Sequence, residues 1–293
     1  MKKHIWWLFG LVAGVVLLTL PIWWVSLLGF ALITISATVL FRDNHTILRI
    51  LAFLLFILLW WDITSHLHLM ESYILPSPGD VWHIIMSQHT IIAKHLWYTL
   101  SISYVGLLLS LLFGTLLAIV MHAIRPLEDL FYPLMVLSQA TPTIAVAPLI
   151  ILWFGFGKYP KIGVVVWVTF FPITVNTLLG LHSIDKDMVD VMKAMGASRW
   201  QIFRHITLPH TLAYTLTGLE ITSPYAILGA LTAEWMGTTQ GLGLYIKRSF
   251  SSFELPQVFA GTIIITVFSL LTWATVAYIK NIFTKWREGG NML

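Results

Sequence analysis

The sequence predicts an all-α polytopic membrane bundle, and three observations carry that prediction. Of 293 residues, 58% are apolar and only 10% are charged, against roughly a quarter charged in a soluble domain. The mean hydropathy is +0.84. The few charges lie between long charge-free stretches, most of them long enough for the ~20 apolar residues of a spanning helix. These features exclude a soluble globular protein, a disordered chain and a nucleic-acid binder. Membrane topology explains the net charge of +4. With no cysteine, a disulfide framework, a cysteine nucleophile and a thiolate metal site are excluded as well.

In chain order the stretches give eight spans. His4 to Phe41 holds no Asp, Glu, Lys or Arg. As one helix it would run about 57 Å, nearly twice the ~30 Å hydrocarbon thickness. Pro21 lies near its middle, so residues 1–45 read as an N-terminal hairpin with spans at 4–20 and 22–41. One long tilted helix is the alternative. The Lys2-Lys3 start mimics a signal peptide, but the apolar run is too long for one and no small-residue cleavage site follows. Residues 46–293 then form a core of six spans, at 48–66, 95–122, 130–153, 162–181, 211–235 and 257–280. With the N-terminus inside, twelve of the seventeen basic residues collect on its side. Five (Lys94, Lys158, Lys161, Lys247 and Arg248) fall in loops on the other side. That bias places both termini in the cytoplasm.

Segment 182–210 is unlike the other connections. Its 29 residues hold 7 of the 30 charges. Met188, Val191, Met192 and Met195 recur at helical spacing. Gly196 interrupts, Ala197-Ser198 starts a second short helix, and Leu208-Pro209 ends it. A methionine-rich helical face suits docking into a partner's groove. On pattern alone, a helix lying on lipid headgroups fits equally well.

The run from Asp190 through Gly196 to Leu208-Pro209 resembles the EAA loop of bacterial ABC importer permeases. The glycine and the Leu-Pro stand at the family's spacing, while Asp190-Val191-Met192 replaces Glu-Ala-Ala. The resemblance continues through Leu75-Pro76-Ser77-Pro78, Thr141-Pro142-Thr143, Pro148-Leu149, Trp153-Phe154-Gly155-Phe156-Gly157, Phe171-Pro172-Ile173, and Glu234 with Gly241-Leu242-Gly243. Together these cover about residues 50–280 and point to the sulfonate, taurine, nitrate and thiamine-precursor group. The first two spans lie outside that six-span core.

The resemblance implies a permease that works as a homodimer in the bacterial inner membrane, beneath a periplasmic or lipid-anchored binding protein. It implies a cytoplasmic ABC ATPase dimer gripped by the coupling loop, here Asp190, Met192, Ala194, Met195, Gly196, Ala197, Ser198, Leu208 and Pro209. Nucleotide state and permease conformation then bias each other. The sequence carries no phosphate-binding loop: Gly157-Lys158 is preceded by Leu152 where glycine is needed and followed by Tyr159. ATP and Mg therefore belong to the partner, and the chain itself is expected to hold no cofactor and to be no enzyme.

Intramembrane polar groups need a reason, since an ionised side chain costs at least ~2.5 kcal/mol there. Glu220 either faces the translocation path or pairs with another helix. Glu234 matches a family glutamate before a glycine-rich turn and reads as an outer-gate or packing residue. Gln139 and Thr141 flank Pro142, where a broken helix could open backbone to a cavity. With Asn176 they complete the expected path lining. The eleven histidines show no metal-ligand spacing at 66/68 or 83/89/95. The Gly229-Ala230…Glu234-Trp235 pattern is closer to the pyrimidine thiamine-precursor permeases than to the sulfonate ones. Sulfonate, taurine or nitrate uptake is the alternative. A membrane enzyme should cluster acids or histidines at one depth, and a stand-alone secondary transporter should show inverted repeats. Neither pattern is seen.

Overall fold

The computed structural model describes residues 75–288, and these are helices joined by turns, with no strand among them. The N-terminal hairpin and the 48–66 span lie outside the described residues. The described residues fall into two compact units, 75–89 with 248–260, and 90–247 with 261–288.

In the first unit, α1 (Pro78–Ser87) begins on Ser77. The Ser77 hydroxyl accepts from the Asp80 N–H, and the Asp80 carboxylate accepts from the Ser77 N–H at 3.1 Å. With Pro78 at the first position, this is a complete start signal. The unit also holds the turn at 252–254. There the Glu254 and Phe253 N–H groups donate back to Ser249 and Phe250. Phe253 takes φ +59° at the position that usually goes to glycine.

The second unit is the bundle. It contains α2 (His89–Ala123, from Thr90 on), α3 (Arg125–Ala140), α4 (Thr143–Phe154), α5 (Lys158–His182), α6 (Lys186–Ala194) and α7 (Arg199–Ile202). A π-helical turn (Phe203–Thr207) leads from α7 into α8 (Leu208–Glu234). Then come α9 (Leu242–Ser251) and α10 (Leu255–Glu288), each only partly in this unit. Among the described residues α2, α5 and α10 are long and apolar enough to cross a membrane. The α3–α4 pair is a fourth crossing if it counts as one span.

Two expectations are corrected here. The 130–153 span is not one rod: α3 and α4 meet at 104°. Proline at 142 cannot donate an N–H, and it pushes Thr141 into an extended conformation (φ −80°, ψ 122°), so the helix breaks. Leu208-Pro209 does not end a helix but starts α8. A proline is tolerated in the first helical turn, where its missing N–H is not needed. The preceding π turn carries the chain into α8 without a break.

α8 is long enough to span but falls outside the apolar set, because threonines, Ser223, Pro224 and Glu220 dilute it. It is also rich in buried residues, so neighbouring helices supply the low-polarity surroundings. Its main partner is α5, and small residues set their approach. A Cβ on Gly218 would stand 3.0 Å from the Ile173 backbone, and one on Gly180 would stand 2.8 Å from Tyr214. Against α2, a Cβ on Gly114 would stand 3.0 Å from the Phe170 carbonyl of α5. Close backbone approach of this kind is how helices associate without a solvent-driven force. Buried hydroxyl pairs cross the same seams, Ser110 to Thr169 at 2.6 Å and Thr177 to Thr215 at 3.0 Å.

Candidate coupling loop and the Glu234 centre

The 182–210 segment projects as two short helices around a glycine. Asp185 caps α6 by accepting from the Asp187 N–H at 2.9 Å. The far end of α6 closes with two backbone bonds, Ala197 N–H to the Met192 carbonyl at 3.0 Å and Gly196 N–H to the Lys193 carbonyl at 2.9 Å. This pairing requires a left-handed residue between, and Gly196 supplies φ +81°. Ser198 then starts α7 with a reciprocal cap to Gln201.

The geometry leaves an apolar stripe uncovered. Met188, Val191 and Met195 are all exposed, Met195 by 78%. Beyond the glycine, Trp200 and Phe203 stack at 5.5 Å and are exposed too. Met192 differs from Met188 and Met195 in being half-buried. Asp190 is held by Lys193 at 2.8 Å. Ala194 and Ser198 are exposed and Ala197 is half-buried; Leu208 and Pro209 stand at the root of the loop. Beside α6 lies an open cleft of about 1,080 Å³, lined by His122, Arg125, Glu128, His182, Lys186 and Asp190 among others. His182 Nε2 and the Glu128 carboxylate stand 3.3 Å apart across it.

The residues expected along the path make their polar contacts with other groups, not with one another. Pro172 lacks the N–H that would bond the Val168 carbonyl, and the Gln139 amide donates to that carbonyl at 3.5 Å. The Asn176 amide donates to the Pro172 carbonyl at 2.7 Å. The Thr141 hydroxyl turns back onto Leu137 at the α3–α4 bend. Glu220 pairs with Lys280 of α10.

Glu234 is fully buried and its carboxylate is enclosed. Thr99 of α2 donates to it at 2.8 Å, and the Gly243 N–H donates at 2.8 Å. The Leu242 N–H donates to the Thr99 hydroxyl at 2.9 Å, and the Gly241 N–H donates to His95 at 3.0 Å. The glycines are required by the enclosure: a Cβ at Gly241 would lie 2.5 Å from both carboxylate oxygens. Sequence reasoning singled out Glu234 but missed Thr99, which is 135 positions away and has no local signature. It also counted Lys161 as a loop cation, whereas Lys161 is in α5 and 1% exposed.

Residues 110–285 match the family described as binding-protein-dependent transport system inner membrane component. The chain is 38% identical to the formylaminopyrimidine transport permease protein ThiX of Halalkalibacterium halodurans, over 84% of this chain and 99% of that one. It is 31% identical to the riboflavin transport system permease protein RibX of Chloroflexus aurantiacus, over 80% and 88%. With the taurine transport system permease protein TauC of Escherichia coli it shares 26% over 78% and 85%. An inward-facing structure of the MetNI methionine ABC transporter shares the fold, with a TM-score of 0.60 at 16% identity, covering 68% of this chain and 98% of that one. The helical bundle, the projecting two-helix loop and the match through nearly all of the bundle agree: the chain belongs to the inner membrane components of binding-protein-dependent ABC importers.

Proposed function

We propose that the chain is the permease subunit of an importer for a pyrimidine thiamine precursor. The observation that carries this is the 38% identity to the formylaminopyrimidine permease, end to end in that relative. The Gly229-Ala230…Glu234-Trp235 pattern stands behind it. Two copies would form the pore, with both termini in the cytoplasm and a binding protein delivering solute from outside. The exposed stripe of Met188, Val191 and Met195 would seat in a cleft of a separate ABC ATPase. ATP-driven closure of the ATPase pair would then move the two loops, by the reciprocal bias that links any two coupled sites. Taurine or another sulfonate is the second reading, supported by similarity to TauC and to the Bacillus subtilis sulfonate permease SsuC at 26% and 29%.

The test is uptake of labelled formylaminopyrimidine by cells carrying the chain with its neighbouring importer genes. Uptake should vanish when this gene alone is deleted and should be unaffected by excess taurine. Taurine-competed uptake, or taurine uptake in its place, would overturn the pyrimidine reading.

A further inference from the structure

Helix α9 starts on a residue that cannot cap it. The Tyr245 N–H donates to the Gly241 carbonyl at 3.1 Å. That is the first bond of the helix, so Gly241 holds the N-cap position. It has no side chain to receive the N–H groups left open at the helix start. Side chains from two other helices receive them instead. The Gly241 N–H donates to His95 Nδ1 at 3.0 Å, and the Leu242 N–H donates to the Thr99 hydroxyl at 2.9 Å. The Gly243 N–H donates to the Glu234 carboxylate at 2.8 Å. Three successive N–H groups thus end on α2 twice and on α8 once.

The receivers are tied to one another. A threonine hydroxyl has one proton to give and lone pairs that accept. Thr99 donates to one Glu234 oxygen at 2.8 Å while it accepts from Leu242. The other Glu234 oxygen takes the Gly243 N–H. His95 stands one turn before Thr99, and its ring lies 5.9 Å from the Tyr245 ring of α9. Thr99, Glu234 and Leu242 are fully buried, so losing a partner leaves a buried polar group bare. Gly243 brings the backbones together as well: a Cβ there would stand 2.7 Å from the Leu231 carbonyl of α8.

We propose that His95, Thr99 and Glu234 are positioning residues that fasten the start of α9 to α2 and α8, so that these three helix ends travel as one body when the importer changes state. Parting them would uncover three N–H groups and a carboxylate at once, whereas moving them together uncovers none. The proposal rests on the permease reading and is independent of its substrate.

The absence of native cysteine makes a single reporter thiol unambiguous. Leu244, in the first turn of α9, is 8% exposed. In the assembled importer in nanodiscs, Leu244→Cys should react slowly with maleimide, and equally slowly without nucleotide and with vanadate-trapped nucleotide. Acceleration on trapping would overturn the one-body motion. Thr99→Val keeps the shape but can neither donate nor accept, and should speed labelling about tenfold in both states and cut uptake by a similar factor. Thr99→Ser keeps the hydroxyl and should restore both to within about threefold of the parent. Where Thr99→Val does not accumulate in the membrane, His95→Leu reads the same fastening through the Gly241 N–H. Its rescue is His95→Asn, whose amide oxygen can accept in place of Nδ1. Parental labelling in the variants that lose a bond, rescue variants as defective as those they should restore, or fast labelling with unchanged uptake would each overturn the proposal. Labelling as expected in an importer that carries no formylaminopyrimidine would overturn the substrate reading and leave the fastening standing.

Discussion

Gly196 shows how a single residue joins local geometry to function. Its positive φ serves the two backbone bonds that end α6, yet a Cβ built on it meets nothing within 4 Å. A side chain there faces open space on the side where a partner would dock. Asn and Asp both tolerate the left-handed region, where other residues lose roughly 1–2 kcal/mol. Their comparison therefore separates backbone strain from docking. Gly196→Asn should keep roughly a third or more of ATP-driven uptake, and Gly196→Asp should abolish it while membrane insertion stays normal. Equal loss in both, measured in proteoliposomes of the full importer, would assign the glycine to the helix stop alone. The glycine was legible in the sequence because its role is local: a helical pattern stops and a cap residue follows two positions on. Lys161 was not, because nothing near it in sequence distinguishes a lysine that opens a loop from one folded under it.

Between elements, the Glu220–Lys280 pair ties α8 to α10. Their side chains keep 15% and 25% exposure, so breaking the pair should cost about 2–3 kcal/mol, below the 3–5 typical of a fully buried one. Glu220→Gln and Lys280→Met should each lower the melting temperature in detergent. The exchange Glu220→Lys with Lys280→Glu should recover most of the loss. A swap as damaging as either single change would show that the surroundings, more than the partner, hold each charge. From sequence, Glu220 was visible as a costly intramembrane charge but its partner was not, since Lys280 stood where a span was expected to end. The α3–α4 bend was half-legible: Pro142 marks a break, but the 104° angle depends on what α5 offers the two halves.

For the molecule as a whole, the uncovered stripe on α6 and the stacked Trp200 and Phe203 are the largest apolar features of the projecting loop. Replacing Met195 with Asp puts a charge at their most exposed point and should abolish co-purification with the ABC ATPase in mild detergent. Replacing Met192, which is half-buried, with Leu should leave it intact. Recovery of the Met195 variant with full ATPase would place the grip elsewhere.

The sequence alone determined the membrane class, the order of the main apolar stretches and the two-helix form of the 182–210 loop. Each follows from patterns within ~30 neighbouring residues: hydropathy, caps and a spaced motif. Only the tertiary structure decided the partners of the rare charges. It turned Lys161 from a loop cation into a buried one, gave Glu220 its lysine, and wrapped Glu234 with Thr99 and two glycines. The physical reason is that a buried charge is settled by whatever group lies within a few ångströms, and in this bundle the side-chain partners of Glu220 and Glu234 come from helices 60 and 135 positions away.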